Sequence, residues 1–296
     1  MAESLKPGAA RAPGHTYQEA ILKDSSKPPE AFLDYSYEFM GDQDIPYSHY
    51  TSKDYAAREM ENLWPHVWQM ACREEHIAEP GDYQVYDIGH LSAIVTRTES
   101  MEIKAYVNAC MHRGTALKPP GDNGFCQSFR CPFHGWIYSL DGELVEVPES
   151  WDFPHVGAET HSLREILVDT WAGFVFVNFD REAEPLDQFL GVLPEHFKDF
   201  DIGNRYIETH VCKRLPVNWK AAEEAFMEAY HVKETHAGGR DFSEPVTTYD
   251  VYPLNVSRFI HTVGSVNPRM PVPPTEQELL SAMWGRRGAN DQACPT

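Results

Sequence analysis

The rhythm of apolar and polar positions changes three times along the chain. Residues 1–45 are mostly polar, with frequent Pro and Gly, and read as an irregular arm carrying one short helix at Tyr17–Lys23. Ser52–Leu63 has helical spacing: Ser52 is placed to cap it, Asp54 puts a negative charge on its first turn, and Pro65 stops it. From Trp68 to Phe179, short runs rich in β-branched and aromatic residues alternate with turn signals. The runs Tyr83–Ile88, Ser92–Arg97, Ile103–Asn108, Trp136–Leu140 and Phe174–Phe179 have strand length, and Pro80-Gly81, Pro120-Gly121 and Asp141-Gly142 punctuate them. That spacing predicts an antiparallel, sandwich-like domain with a hairpin turning at Asp141-Gly142.

After Asp180 the pattern predicts a helix over Leu186–Phe200, a strand over Tyr206–Leu215 and a helix over Trp219–Val232, which has no Gly or Pro inside. Beyond Ala237 the chain is Pro-rich and gives no periodic signal. The expected fold class is α+β. Residues 1–50 form an arm, 51–182 an antiparallel β domain, and 183–296 the start of a mixed α+β domain.

Composition changes the picture in two ways. The formal net charge of −20 repels nucleic acid and anionic membrane surfaces, so neither is expected as a partner. No apolar run approaches the ~20 residues of a membrane helix, and the opening residues hold no apolar signal core, so a cytoplasmic setting is expected. In such a setting the six cysteines (Cys72, Cys110, Cys126, Cys131, Cys212 and Cys294) point to metal binding or burial, not to disulfides. The clustering of Cys110, Cys126 and Cys131 favours metal.

The candidate chemistry begins with Cys110-Met111-His112, then eighteen residues, then Cys131-Pro132-Phe133-His134. A Cys₂His₂ zinc site is one reading of this set. Zinc fingers, however, usually pair Cys with Cys and His with His along the chain, whereas here each loop brings one of each. Mixed pairing fits a Rieske [2Fe–2S] centre, in which two Cys hold one iron and two His the other. Gly114 and Gly135 follow the two pairs, where the backbone must turn tightly. Trp136 is either a shield over a cluster or an ordinary core residue. Cys126 reads as a bystander within the spacer.

The segments Asn-Ala-Cys-Met-His-Arg-Gly-Thr-Ala-Leu and Cys-Pro-Phe-His-Gly-Trp-Ile-Tyr-Ser-Leu-Asp-Gly-Glu-Leu resemble the two cluster loops of Rieske non-haem iron ring-hydroxylating oxygenases, in their catalytic α subunits. The stretch Trp171-Ala-Gly-Phe-Val-Phe-Val-Asn-Phe-Asp is similar to that family's closing strand, and the resemblance covers most of residues 60–240.

A second constellation lies between Asn218 and His236. Glu228 and His231 are three apart, which on a helix puts them on one face, and Glu224 lies four before Glu228 on the same stripe. His236 is five after His231, a rotation of about 140° at ~3.6 residues per turn. Both His can meet one metal only if the helix ends or distorts just after His231. Two such His alone are a weak signal. The segment resembles the mononuclear iron motif of the same oxygenases, where two His and a carboxylate form a facial triad. That resemblance implies His231 and His236 as ligands of a mononuclear Fe(II), with Glu228 as the acid bridging the two metal sites across a subunit boundary. It also implies a homo-oligomer, often a trimer. Phe226, Met227 and Tyr230 are either pocket wall or core.

Two departures from the family pattern stand out. Ala225 occupies the place after Glu224 where the family usually has Asn. The third iron ligand is not recognisable among Asp241, Glu244, Asp250, Glu276, Glu278 and Asp291, and the chain ends at Thr296, short of where such α subunits end. An incomplete catalytic domain is therefore expected.

The function the resemblance implies is the terminal oxygenase component of a multicomponent Rieske oxygenase. It would hydroxylate or dihydroxylate a small organic substrate, aromatic by family habit. O₂ is the oxidant, and electrons come from NAD(P)H through a reductase, a ferredoxin or both. The alternative is a Rieske electron-transfer module without oxygen chemistry.

Overall fold

The computed structural model describes residues 16–23, 25–228, 231, 235, 247–253 and 256–261. It contains two compact units: one is Ser52–Leu190 with Phe197–Cys212, and the other is Met1–Thr51, Gly191–His196 and Lys213–Thr296.

The first unit opens with the helix Lys53–Asn62, whose N-cap Ser52 accepts a hydrogen bond from the Tyr55 N–H. Ten strands follow: β1 Gln69–Arg73, β2 Asp82–Ile88, β3 Leu91–Arg97, β4 Ile103–Val107, β5 Asn123–Phe125, β6 Phe129–Arg130, β7 Ile137–Tyr138, β8 Leu144–Glu146, β9 Leu167–Trp171 and β10 Phe174–Asn178. They form three antiparallel sheets, ordered β4-β3-β2-β5, β6-β7-β8 and β1-β10-β9.

The middle strand β3 explains the layering. Its run Ala93-Ile94-Val95 is apolar at every position because both faces are covered. Ile94 packs with Tyr83, Tyr106, Phe129 and Tyr138, whereas Ala93 and Val95 pack with Ile77, Val175 and Val177. The four-stranded sheet is thus closed by the β6-β7-β8 sheet on one face and by the β1-β10-β9 sheet on the other. The predicted hairpin at Asp141-Gly142 joins β7 to β8, with the Ser139 N–H on the Glu143 carbonyl at 2.9 Å.

In the second unit the arm helix Tyr17–Ile21 has a complete capping box, Thr16 and Glu19 each satisfying the other's backbone N–H. The hairpin of β11 Thr247–Tyr252 and β12 Val256–His261 carries a buried ion pair: Arg258 donates to Asp250 Oδ2 from Nε at 3.1 Å and from Nη2 at 2.9 Å. Arg258 also donates to the Ala31 and Asp34 carbonyls, and Asp250 Oδ1 accepts the Ser36 N–H. Residues 31–36 are stitched to the hairpin by this pair and by Ser36, whose carbonyl accepts the Val251 N–H at 2.8 Å and whose hydroxyl donates to the Val251 carbonyl at 2.7 Å.

Three predicted elements differ. Leu186–Phe200 is not one helix but Leu186–Leu190, Leu193–Phe197 and a 3₁₀ turn Lys198–Phe200. The break falls at Gly191, in the left-handed region at φ +52°. Tyr206–Leu215 forms no strand. Side chains meet its start instead of a ladder: Glu75 Oε1 accepts the Ile207 N–H at 2.9 Å. The helix predicted over Trp219–Val232 runs only Trp219–Glu224, capped by Asn218. All six of its helical residues are exposed or half-buried, and the Phe226 and Met227 that follow are exposed, so no apolar face is buried to extend it. Residues 229–230 and 232–234 lie outside the described residues.

Candidate metal centre

Two loops with the same backbone form present the Cys/His motif. In the first, the Cys110 N–H donates to the Thr115 carbonyl and the Gly114 N–H to the Cys110 carbonyl, both at 2.8 Å. In the second, the Cys131 N–H donates to the Trp136 carbonyl at 2.8 Å and the Gly135 N–H to the Cys131 carbonyl at 3.0 Å. Gly114 and Gly135 stand at φ +72° and +74°, the left-handed conformation that closes each loop and that a side chain would strain. The loops are equivalent, yet His follows the first Cys by two residues and the second by three. One fold thus delivers its imidazoles from two different corners.

Strands hold both loops. Asn108, just past β4, accepts the Leu117 and Lys118 N–H groups on Oδ1 at 3.0 Å and donates to the Lys118 carbonyl at 2.8 Å, closing the base of the first loop. Tyr138 on β7 joins the loops: its hydroxyl accepts the Met111 N–H at 3.0 Å and lies 3.3 Å from Cys110 Sγ. Sequence reading missed both roles. Asn108 and Tyr138 stood in the quoted segments, and a polar side chain at the end of an otherwise apolar strand was the available signal.

The ligand types are sorted by depth. Cys110 and Cys131 are 2% and 3% exposed. His134 is exposed and His112 half-buried, with the two rings 4.7 Å apart between centroids. Burial pushes the Cys110 thiol up, opposed by the Tyr138 hydrogen bond. Burial, then the neighbouring His134, lowers His112. The four residues make a buried thiol pair and an outer imidazole pair, the donor set of a two-iron cluster. Among the described cysteines none is in a disulfide. Cys126 packs beside this core, partly buried.

The second constellation is only partly visible. Glu228 accepts the His231 backbone N–H on Oε2 at 3.1 Å, and its Oε1 contacts His231 Nδ1. The contact expected from helical spacing exists, but it is made beyond the end of the regular helix. Glu224 accepts from the Tyr50 hydroxyl at 2.7 Å. Phe226 and Met227 are exposed, 84% and 41%, and form no core. His236 and Tyr230 lie outside the described residues. So do Asp241, Glu244, Glu276, Glu278, Asp291 and Cys294. Asp250, the one described carboxylate of the six candidates, is committed to Arg258.

Comparison with known proteins tests the resemblance. Residues 67–156 match the Rieske [2Fe-2S] domain, and residues 199–288 match the ring hydroxylating alpha subunit catalytic domain. The chain belongs to the Rieske ring-hydroxylating oxygenase α subunits. It is 34% identical over 197 residues to chlorobenzene dioxygenase subunit alpha of Cupriavidus sp. (strain PS12), covering 64% of this chain and 44% of that one. It is 30% identical over 247 residues to biphenyl 2,3-dioxygenase subunit alpha of Rhodococcus jostii (strain RHA1), covering 81% and 50%. In fold it is similar to a quaternary ammonium Rieske monooxygenase solved with L-carnitine, with a TM-score of 0.64 at 25% identity over 70% of this chain and 60% of that one. The chain spans about half the length of the curated relatives it matches. Both modules of a Rieske oxygenase α subunit, the antiparallel β domain and the catalytic domain, are thus represented in one chain. Among the described residues no helix is long and apolar enough to cross a membrane.

Proposed function

We propose that this chain is the oxygenase component of a multicomponent Rieske oxygenase, acting on a small organic substrate with O₂. Cys110 and Cys131 hold one iron of a [2Fe–2S] cluster, and His112 and His134 hold the other. His231 and His236 hold a mononuclear iron. The carrying observation is the sorting of one donor set into a buried thiol pair and an outer imidazole pair on two equivalent loops.

When bound, the cluster supplies one-electron storage and the mononuclear iron supplies oxygen activation. The chain's own residues do the rest. The Cys thiols are kept from water, and the Tyr138 hydroxyl lies against Cys110 Sγ, placed to donate to it once it is a thiolate. The outer imidazoles face a donor or a neighbouring subunit. Glu228, against His231 Nδ1, fixes the tautomer of that imidazole and leaves Nε2 for a metal. Glu228 is also the acid that links the outer imidazole pair of one subunit to His231 of the next, which makes a homo-oligomer part of the function. The electrons derive from NAD(P)H through a reductase or ferredoxin. The names of the aromatic-ring dioxygenase relatives support an aromatic substrate over an alkylamine one.

Iron and acid-labile sulfide per chain, measured on anaerobically purified protein, test this reading. Three irons with two sulfides support the oxygenase. Two irons with two sulfides favour an electron-transfer module, and zinc without sulfide refutes both. Where the protein turns over, Glu228→Gln is expected to keep the cluster spectrum while single-turnover product falls at least tenfold. Equal yields would refute the linking role.

A further inference from the structure

The two outer imidazoles are not held alike. The indole of Trp136 lies parallel to the His112 ring, 6° between planes and 4.9 Å between centroids. Phe153 meets His112 edge-on at 6.4 Å. His134, by contrast, is exposed, and the Phe133 ring against it is itself 58% exposed. Trp136 is 2% exposed although it borders this surface. Its backbone carbonyl takes the Cys131 N–H of the second loop while its ring covers the histidine of the first. The indole also meets His161 in a T-shaped contact at 5.8 Å. His161 ends the short helix Ala158–His161, with the Thr160 hydroxyl at 2.8 Å from its Nδ1.

We infer that Trp136 is a positioning residue for His112, fixing the plane of that imidazole and keeping water from one of its faces, with His161 as its brace. This rests on the cluster reading above. A stacked ring cannot rotate without losing its aromatic neighbour, so the stack sets the angle at which His112 presents its nitrogen. It also makes the two imidazoles unequal: His112 is screened, and His134 is the one water and partners reach. The reduced cluster carries one more negative charge than the oxidised cluster, and water stabilises that charge. Uncovering His112 therefore favours reduction.

The test uses the full chain with Trp136→Leu, Trp136→Phe and His161→Ala. Each is read by iron and sulfide content, the EPR spectrum of the reduced protein, and the midpoint potential. Trp136→Leu is expected to shift the EPR g values and raise the midpoint potential. Trp136→Phe, which keeps a stacking face, is expected to return both towards the parent. His161→Ala is expected to move both in the Leu direction by less. Where Trp136→Leu holds no cluster, the other two variants decide: a parent-like His161→Ala spectrum and potential overturn the inference. Parent-like values in Trp136→Leu overturn it as well. A parent protein without a Rieske EPR signal overturns the cluster reading and this inference with it, whereas a parent signal with unmoved variants overturns the inference alone.

Discussion

The loop at Cys110 follows β4 of the sheet covered on both faces, the loop at Cys131 joins β6 to β7 of the sheet packed against it, and fully buried Ile94, Tyr138 and Phe129 share a core with both cysteines. The segment carrying Glu228 and His231 follows a six-residue helix with no buried residue, and its next two apolar side chains are exposed. In the first region, backbone hydrogen bonds, Asn108 and Tyr138 tie down the backbone of both loops. In the second, Glu228 meets the backbone N–H and the ring of His231, and the Thr235 N–H donates to the His231 carbonyl, all past the end of the regular helix. Ligand precision comes from the closed ladder beneath the loops, not from the spacing of the ligands themselves.

The strongest break of that contrast removes a donor from the rigid cage. Cys110→Ser or His134→Ala is expected to abolish the visible chromophore and the Rieske EPR signal while far-ultraviolet circular dichroism stays near the parent. Colour surviving both changes would sink the cluster assignment. His231→Ala is expected to leave that signal untouched, because His231 is a candidate ligand of the mononuclear iron and not of the cluster.

The next largest effect falls in the other unit. Arg258 and Asp250 have side chains 9% and 0% exposed. Removing one partner of a buried pair leaves an uncompensated charge and costs about 3–5 kcal/mol. Arg258→Ala is therefore expected to loosen residues 31–36 from the hairpin, read as faster proteolysis of the arm with the cluster signal retained. Loss of the cluster signal in the same variant would show that the two units are not independent.

A smaller effect sharpens the first region. The Tyr138 hydroxyl lies 3.3 Å from Cys110 Sγ, and a hydroxyl donating to a thiolate makes a charge-assisted hydrogen bond worth about 1.5–3 kcal/mol. The bond favours the more negative, reduced state, so Tyr138→Phe is expected to lower the midpoint potential, by about 60 mV for each 1.4 kcal/mol of difference between the states. An unchanged potential with an intact cluster would mean that the proton points elsewhere.

Much of this was legible in the residues, for physical reasons that differ by region. The strands at Tyr83–Ile88, Ser92–Arg97 and Phe174–Phe179 announced themselves through short runs rich in β-branched and aromatic residues between turn signals, and in β3 the run Ala93-Ile94-Val95 is buried at every position. The Cys/His motif was legible because each loop closes on itself within a few residues. Tyr206–Leu215 misled because its composition fits a strand while strand pairing depends on a partner elsewhere in the chain. The helix after Asn218 misled in the opposite sense: helix propensity alone does not carry a helix without an apolar face to bury. The Arg258–Asp250 clamp left no signature, because nothing in either residue's neighbourhood names a partner more than two hundred residues away at Ala31.

The smallest expected effect lies at the exposed rim of the rigid unit. His66 Nδ1 and Asp180 Oδ2 are 2.8 Å apart, tying the end of the first helix region to the chain leaving β10, with side chains 51% and 30% exposed. The His66 hydrogen bond, then the Glu182 N–H, hold the Asp180 carboxyl below its usual range. A carboxylate depressed in the folded state adds stability above its unfolded pKa, about 3.9, and loses it as pH falls through the folded value. Asp180→Asn is thus expected to be slightly less stable than the parent at pH 7, and the two denaturation curves should converge towards pH 2. The gap should also shrink in high salt, since exposed pairs are screened. A gap that persists unchanged in acid would assign the loss to the turn that Asp180 closes with Glu182, and the rim would then be held by its backbone as firmly as the loops it borders.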